Sequence, residues 1–129
     1  MLRALLDTHA FLWWITDDSR LSLRARETLA DGRNDLFFSA ASGWEIAIKA
    51  NLGKVEVPDD LERFLAEQLS RNAIQVLPIY LSHTLHAYSL PDHHRDPFDR
   101  LLISQALLEK LTVLSADPQI ARYPVDLAW

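Results

Sequence analysis

The sequence predicts an α/β layered fold around a central, mostly parallel sheet of four to five strands flanked by helices. Three observations carry that expectation. Short apolar runs suited to buried strands alternate with amphipathic stretches of helical spacing along the whole chain. The composition is 49% apolar and only 24% charged, enough to build a core and too apolar for a disordered chain. Acidic residues recur where strands should end or helices begin: Asp7, Glu45, Asp96, Asp99 and Asp117.

The elements follow in order. Residues 2–6 read as a short buried strand, followed by a helix over 8–15. Residues 22–31 have helical spacing, with Leu23 and Leu29 on one side and Arg24, Arg26 and Glu27 mostly on the other. DLFFS at 35–39 is a second strand, and 40–51 a helix that Gly53 stops. Residues 59–71 form a helix with Leu61, Phe64, Leu65 and Leu69 as its apolar stripe. A third strand is expected over 74–79 and a further helix over 82–89. Residues 91–96 read as a polar loop, 97–110 as a helix, 112–114 as a fourth strand and 125–129 as a short edge strand. No repeat, linker or low-complexity segment interrupts the 129 residues, so one domain spanning 1–129 is expected.

Composition removes several classes of chemistry. With no cysteine there are no disulfides, thiol nucleophiles or iron–sulfur sites. No apolar run approaches the roughly 20 residues of a membrane span, and no basic-then-apolar leader opens the chain, so a soluble, cytoplasmic protein is expected. A net charge of −5 argues against bulk electrostatic attraction to nucleic acid, unless metal neutralises part of it. There is no Gly-rich phosphate loop, no G-x-S-x-G elbow and no HExxH. His93 and His94, adjacent in a polar loop beside Arg95, read as solvated.

Each acid has a structural reading beside a functional one. Glu45 follows Ser42 by three residues and precedes Lys49 by four, the spacings of a capping box and of a helix-surface pair. Ser39 is an equally good cap, and would place Glu45 well inside the helix. Asp96 precedes Pro97 and Asp117 precedes Pro118, the ordinary chemistry of a helix start. Asp99 suits the first turn of a helix through the helix dipole. Asp7 breaks an apolar strand and could cap the helix after it. Independent caps do not explain the ordered set, because carboxylates gathered at one sheet edge repel unless something positive stands among them. An oxygen-only cage suits a hard divalent cation, Mg²⁺ or Mn²⁺. In open parallel sheets such sites form beyond the carboxyl ends of the strands.

The segments LLDTHAFLWW, SAASGWEIAIKANLGK, HRDPFDRLLISQA and VLSADPQIARY resemble, in order, the signature segments of PIN-domain ribonucleases, most closely the VapC-type toxins of toxin–antitoxin pairs. The resemblance implies a PIN-like three-layer fold, an acidic Mg²⁺ or Mn²⁺ pocket and endonucleolytic cleavage of RNA. It places the family's acids on Asp7, Glu45, Asp99 and Asp117, with Asp96 as a companion metal ligand, and its pocket hydroxyls on Thr8 and Ser115. Ser104 departs from an alanine common in the family. A catalytically inactive PIN-like binding module, and a metal-dependent DNA nuclease or phosphatase, remain alternatives. Arg95, Arg100, Lys49 and Lys54 are candidate contacts to a substrate backbone. The resemblance also implies a homodimer and a cognate antitoxin, for which the aromatic helix carrying Phe11, Trp13 and Trp14 is the candidate interface, since exposed apolar surface marks partner sites.

Overall fold

The computed structural model describes residues 1–129. Its strands are β1 (Arg3–Leu6), β2 (Asp35–Ser39), β3 (Ile74–Leu77), β4 (Thr112–Leu114) and β5 (Leu127–Ala128). The helices are α1 (Thr8–Ile15), α2 (Leu23–Ala30), α3 (Ala40–Asn51), α4 (Leu61–Arg71), α5 (Leu81–Ser89) and α6 (Pro97–Glu109), with a 3₁₀ turn at Ile120–Arg122. The strands lie in the order β3-β2-β1-β4-β5, every neighbouring pair parallel. The α/β architecture expected from the alternating runs is the one found.

Strand alternation divides the core into two halves. β1 sends Ala4 and Leu6 to one face and Leu5 to the other; β2 sends Leu36 and Phe38 one way and Phe37 the other; β4 divides Leu114 from Val113. On the first face lie Phe11 of α1, Leu29 of α2, Ile46 of α3 and Leu69 of α4. Leu102, Ile103 and Ala106 of α6 cover the second, with Ile120 and Tyr123. A parallel sheet needs both faces covered, and the result is three layers.

Phe11 requires a correction. It is fully buried, its ring 4.5 Å from that of Phe38, so it belongs to the core and offers nothing to a partner. Burying such a ring stabilises the fold by roughly 1.5–3 kcal/mol. Trp13 and Trp14 are half-buried against the same core. Trp14 Nε1 donates to Asn72 Oδ1 at 3.0 Å, and Trp13 meets Trp129 edge-on at 5.8 Å. Much of the aromatic surface on α1 is therefore used within the chain.

Several boundaries differ from the sequence expectation for local reasons. β3 stops at Leu77 rather than 79, because Pro78 has no N–H to extend the ladder. α4 starts at Leu61, with Asp60 accepting the Arg63 N–H as its cap. α6 ends at Glu109, since Lys110 takes a left-handed conformation at φ 57°. β5 is only two residues long; the Val125 N–H is drawn into a turn with the Tyr123 carbonyl. Gly53 sits at φ 72° just beyond α3, the conformation for which glycine is favoured after a helix.

Candidate active site and metal centre

β1 is the central strand, and the chain winds outward from it in both directions, to β2 and β3 on one side and to β4 and β5 on the other. That reversal leaves a crevice at the carboxyl ends of the strands, where sites form in such sheets. Asp7 follows β1 directly. Its backbone N–H prolongs the sheet by donating to Leu114 O at 3.1 Å, while its Oδ1 caps α1 by accepting from Ala10 N at 2.7 Å. The cap role and a pocket role are therefore compatible, because a carboxylate has lone pairs to spare. Asp7 is buried, and burial pushes its carboxyl above the ordinary range, against the Ser115 hydroxyl and the Ala10 N–H, which lower it.

Glu45 lies well inside α3, which Ser39 caps by accepting from Ala41 N at 3.0 Å. The capping-box reading through Ser42 is thereby set aside. The i,i+4 pair with Lys49 is present, but buried: Lys49 Nζ donates to Oε2 at 2.7 Å, and Glu45 is only 5% exposed. Thr8 Oγ1 donates to the other oxygen, Oε1, at 2.6 Å and lies 2.9 Å from the Ser42 hydroxyl. Glu45 is thus held from both sides.

Asp96 is the N-cap of α6, its Oδ1 accepting from Phe98 N at 2.8 Å and Asp99 N at 3.1 Å, with Pro97 in the first turn. Asp99 stands in that first turn. Burial and then the neighbouring Asp96 push its carboxyl up to about 7, with Glu45 and Asp7 adding to the rise and His94 opposing it. Asp117 lies beyond β4; its Oδ1 accepts from Gln119 N at 2.8 Å, and its own N–H donates to Ser115 Oγ at 3.0 Å. Asp7, Glu45 and Asp96 all act on the charge of Asp99, and Asp117 acts on that of Asp7.

The sequence reading of His94 as a solvated loop residue is overturned. Its side chain is only 14% exposed, and its Nε2 lies 3.0 Å from Asp99 Oδ2 and 3.1 Å from Asp117 Oδ2. One donor atom each from His94, Asp99 and Asp117 fits within a span of 4.8 Å. The loop position hid this contact, and a histidine two residues before a capping Asp is only a faint signal of it. His93 packs edge-on against Tyr123 at 5.1 Å instead.

Two of the suggested substrate cations are already committed. Lys49 is tied to Glu45, and the Arg100 guanidinium is spent on backbone carbonyls of Ala87, Leu90, Pro91 and His94. Lys54 and Arg20 line a cleft of about 470 Å³ that starts at Thr8 and Lys49 and runs past His9 and Trp13. A second cavity of about 300 Å³ joins Asp7 and Asp117 to the same His9 and Trp13.

The donor set fits a hard divalent ion. Carboxylate oxygens dominate it; burial raises both Asp7 and Asp99, and the acids around Asp99 raise it further, a cost that a bound cation would relieve. The PIN domain profile matches residues 4–126, nearly the entire chain. The chain belongs to the PIN domain family. Among PIN relatives, it is 26% identical over 121 residues to Ribonuclease VapC22 of Mycobacterium tuberculosis, spanning 93% of this chain and 91% of that protein. It is 36% identical to Ribonuclease VapC16 of the same organism over 61 residues, a stretch covering 47% of this chain and 43% of that protein. Among solved structures, VapBC2 from Rickettsia felis, bound to a DNA fragment from its promoter, matches with a TM-score of 0.70 at 18% identity, covering 98% of each chain. VapBC-1 from nontypeable Haemophilus influenzae matches at 0.66 and 15%, covering 98% of this chain and 97% of that one. At these identities the structural matches speak to the fold alone.

Proposed function

We infer that this PIN domain, as a single domain over 1–129, is a divalent-metal-dependent endoribonuclease of VapC type, the toxin of a toxin–antitoxin pair acting in the cytoplasm. The observation that carries the reading is the meeting of Asp7, Glu45, Asp99 and Asp117 at one end of the sheet, from four separate stretches of chain. The similarity to proteins named Ribonuclease VapC supports RNA as the substrate class, and the fold shared with the VapBC complexes supports an antitoxin as the partner.

Asp7 and Asp99 are the carboxylates we assign to hold Mg²⁺ or Mn²⁺, with Asp117 completing the cage and Asp96 behind it as cap and charge neighbour. When bound, the ion supplies a polarised scissile phosphate and a water of lowered pKa. Glu45, fixed by Thr8 and Lys49, has one oxygen on each partner and is oriented to accept a proton from, or to align, an attacking water. Ser115 supports Asp7 and Asp117. Lys54 provides positive charge along the cleft that leads away from Thr8, where Arg20 is paired with Asp18. The half-buried Trp13 and Trp14, without Phe11, remain the proposed contribution of α1 to a homodimer or antitoxin contact. A basic antitoxin residue reaching Asp7, Glu45 or Asp99 would satisfy the same carboxylates and block the pocket.

The test is cleavage of matched single-stranded RNA and DNA by purified chain, with chelator, then with Mg²⁺ or Mn²⁺ restored. RNA cleavage that chelator abolishes and metal restores supports the reading. Undiminished cleavage in excess EDTA, or cleavage of DNA alone, overturns it.

A further inference from the structure

The segment between α5 and α6 has no regular structure, yet its backbone is closely held. Tyr123 Oη donates to Pro91 O at 2.7 Å and accepts from the N–H groups of His93 at 3.1 Å and His94 at 2.9 Å. Arg100 Nη1 donates to Pro91 O at 3.0 Å and to His94 O at 3.2 Å, while Nη2 binds Ala87 O at 2.8 Å and Leu90 O at 3.1 Å. A loop that only connected two helices could leave these groups to water. Here the two side chains fix the backbone on both sides of His94 and deliver its ring between two carboxylates from different elements.

The two ring nitrogens then take different roles. Nδ1 faces the backbone N–H of Asp96 at 3.2 Å. A backbone N–H can only donate, so Nδ1 must accept and carry no proton. The proton of the neutral ring therefore sits on Nε2, the atom 3.0 Å from Asp99 Oδ2 and 3.1 Å from Asp117 Oδ2. A ring nitrogen bearing a proton has no lone pair to offer a metal. For Nε2 to ligate, the proton would have to move to Nδ1 and confront the Asp96 N–H.

We propose that His94 is a positioning residue of the metal pocket, a neutral Nε2–H donor that bonds Asp117 and stands against Asp99 without itself becoming a metal ligand. This rests on the metal-dependent reading given above. An ionised carboxylate has about four lone-pair sites, so the bond from Nε2–H uses one on Asp117 and, with Asp99 Oδ2 3.0 Å from the same nitrogen, leaves the rest of both acids to an ion. The ring sets how far apart the two acids stand before any ion arrives. Groups that orient metal-binding side chains in this way typically account for roughly 10- to 100-fold in metal affinity. Arg100 and Tyr123 act one step further out, through the loop.

The test has two arms, both on the full chain. In the first, ¹⁵N-labelled, metal-stripped protein is observed by long-range ¹H–¹⁵N NMR, then titrated with diamagnetic Mg²⁺. The Nε2–H form of His94 is expected before and after loading. A switch to the Nδ1–H form on loading would make His94 a ligand, and a ring protonated on both nitrogens would make it a stand-in cation; either overturns the proposal. In the second arm, Mn²⁺ affinity is measured for the parent, His94→Phe and His94→Gln, each checked for folding by its melting curve. Phe fills the space without a donor and should weaken binding by roughly 10- to 100-fold. Gln keeps an N–H near the Nε2 position and should recover part of that loss. Unchanged or tighter binding by His94→Phe would overturn the assignment. A parent that binds neither ion would instead sink the functional reading, while the metal-free spectrum still decides the tautomer.

Discussion

Asp18 and Asp31 on the surface, and Asp99 in the pocket, are the same residue under opposite conditions. Each surface aspartate meets an arginine two residues on. Arg20 Nε and Nη2 reach the two oxygens of Asp18 at 3.0 and 2.7 Å, Arg33 repeats the arrangement on Asp31 at 3.0 and 2.8 Å, and the arginine N–H adds a further bond in both. Those arginine hydrogen bonds hold both carboxyls down at about 2. Asp99 is pushed the other way, to about 7, by burial and by the acids around it. The difference is burial first, and then the supply of positive charge. The surface acids carry their own counter-charge in the sequence, whereas the lysine set against the pocket acids, Lys49, is spent on Glu45. A carboxylate cluster left one cation short is a cost to the metal-free fold and a reason for it to take up a metal ion.

Removing pocket charge should have the largest effect. Asp7→Asn and Asp99→Asn each delete a proposed ligand with little change in volume. RNA cleavage should fall by more than the roughly 10- to 100-fold typical of an outer partner, while the metal-free melting temperature holds or rises. Rates and melting curves on one preparation would check this, and full activity in either variant would misplace the pocket.

The pH dependence comes next. Because the folded pKa of Asp99 lies above its ordinary value of 3.8, the protonated form is favoured by the fold. Its contribution to metal-free stability is complete below about pH 4 and is lost as pH rises through about 7; Asp7 acts in the same direction. Added Mg²⁺ or Mn²⁺ should therefore raise the melting temperature more at about pH 8 than at about pH 5, since protonated carboxyls are poor ligands. An equal shift at both would remove Asp99 from the ion's surroundings.

Asp96→Asn should do less. Asn caps a helix almost as well as Asp, so the cost is on the order of 1 kcal/mol or less, with cleavage largely kept. If Asp96→Asn abolishes cleavage and Asp99→Asn merely lowers stability, the two assignments exchange places. The smallest effect belongs to the surface pairs. Asp18→Asn and Asp31→Asn should leave cleavage unchanged and lower the melting temperature at neutral pH only slightly, since exposed ion pairs contribute little. Their depressed carboxyls contribute stability that is lost only as pH falls through about 2, which acid unfolding followed by circular dichroism would reveal.

Most of the fold was legible because its signals are local. The alternation in β1 and β2 set opposite faces, and Ser39, Asp60 and Asp96 mark helix starts through bonds to their near neighbours. The acids were legible as a set for the same reason, each lying at a strand end or helix start. His94 was not, because its place depends on Arg100, Tyr123, Asp99 and Asp117, none of which lies beside it in sequence. Phe11 misled because adjacent aromatics on a short helix do not say which ring turns toward the sheet. Arg100 misled in another way: a cation close to the acids in sequence proved to be a clamp on backbone carbonyls.

The most direct measurement is a Mn²⁺ titration of metal-stripped protein, followed by the electron paramagnetic resonance signal of the free ion, for the parent against Asp99→Asn. Saturable uptake by the parent, much weakened in Asp99→Asn and blunted at about pH 5, is the predicted result. A parent that leaves the ion free at millimolar concentration, or an Asp99→Asn that binds it equally well, would contradict a pocket short of one cation.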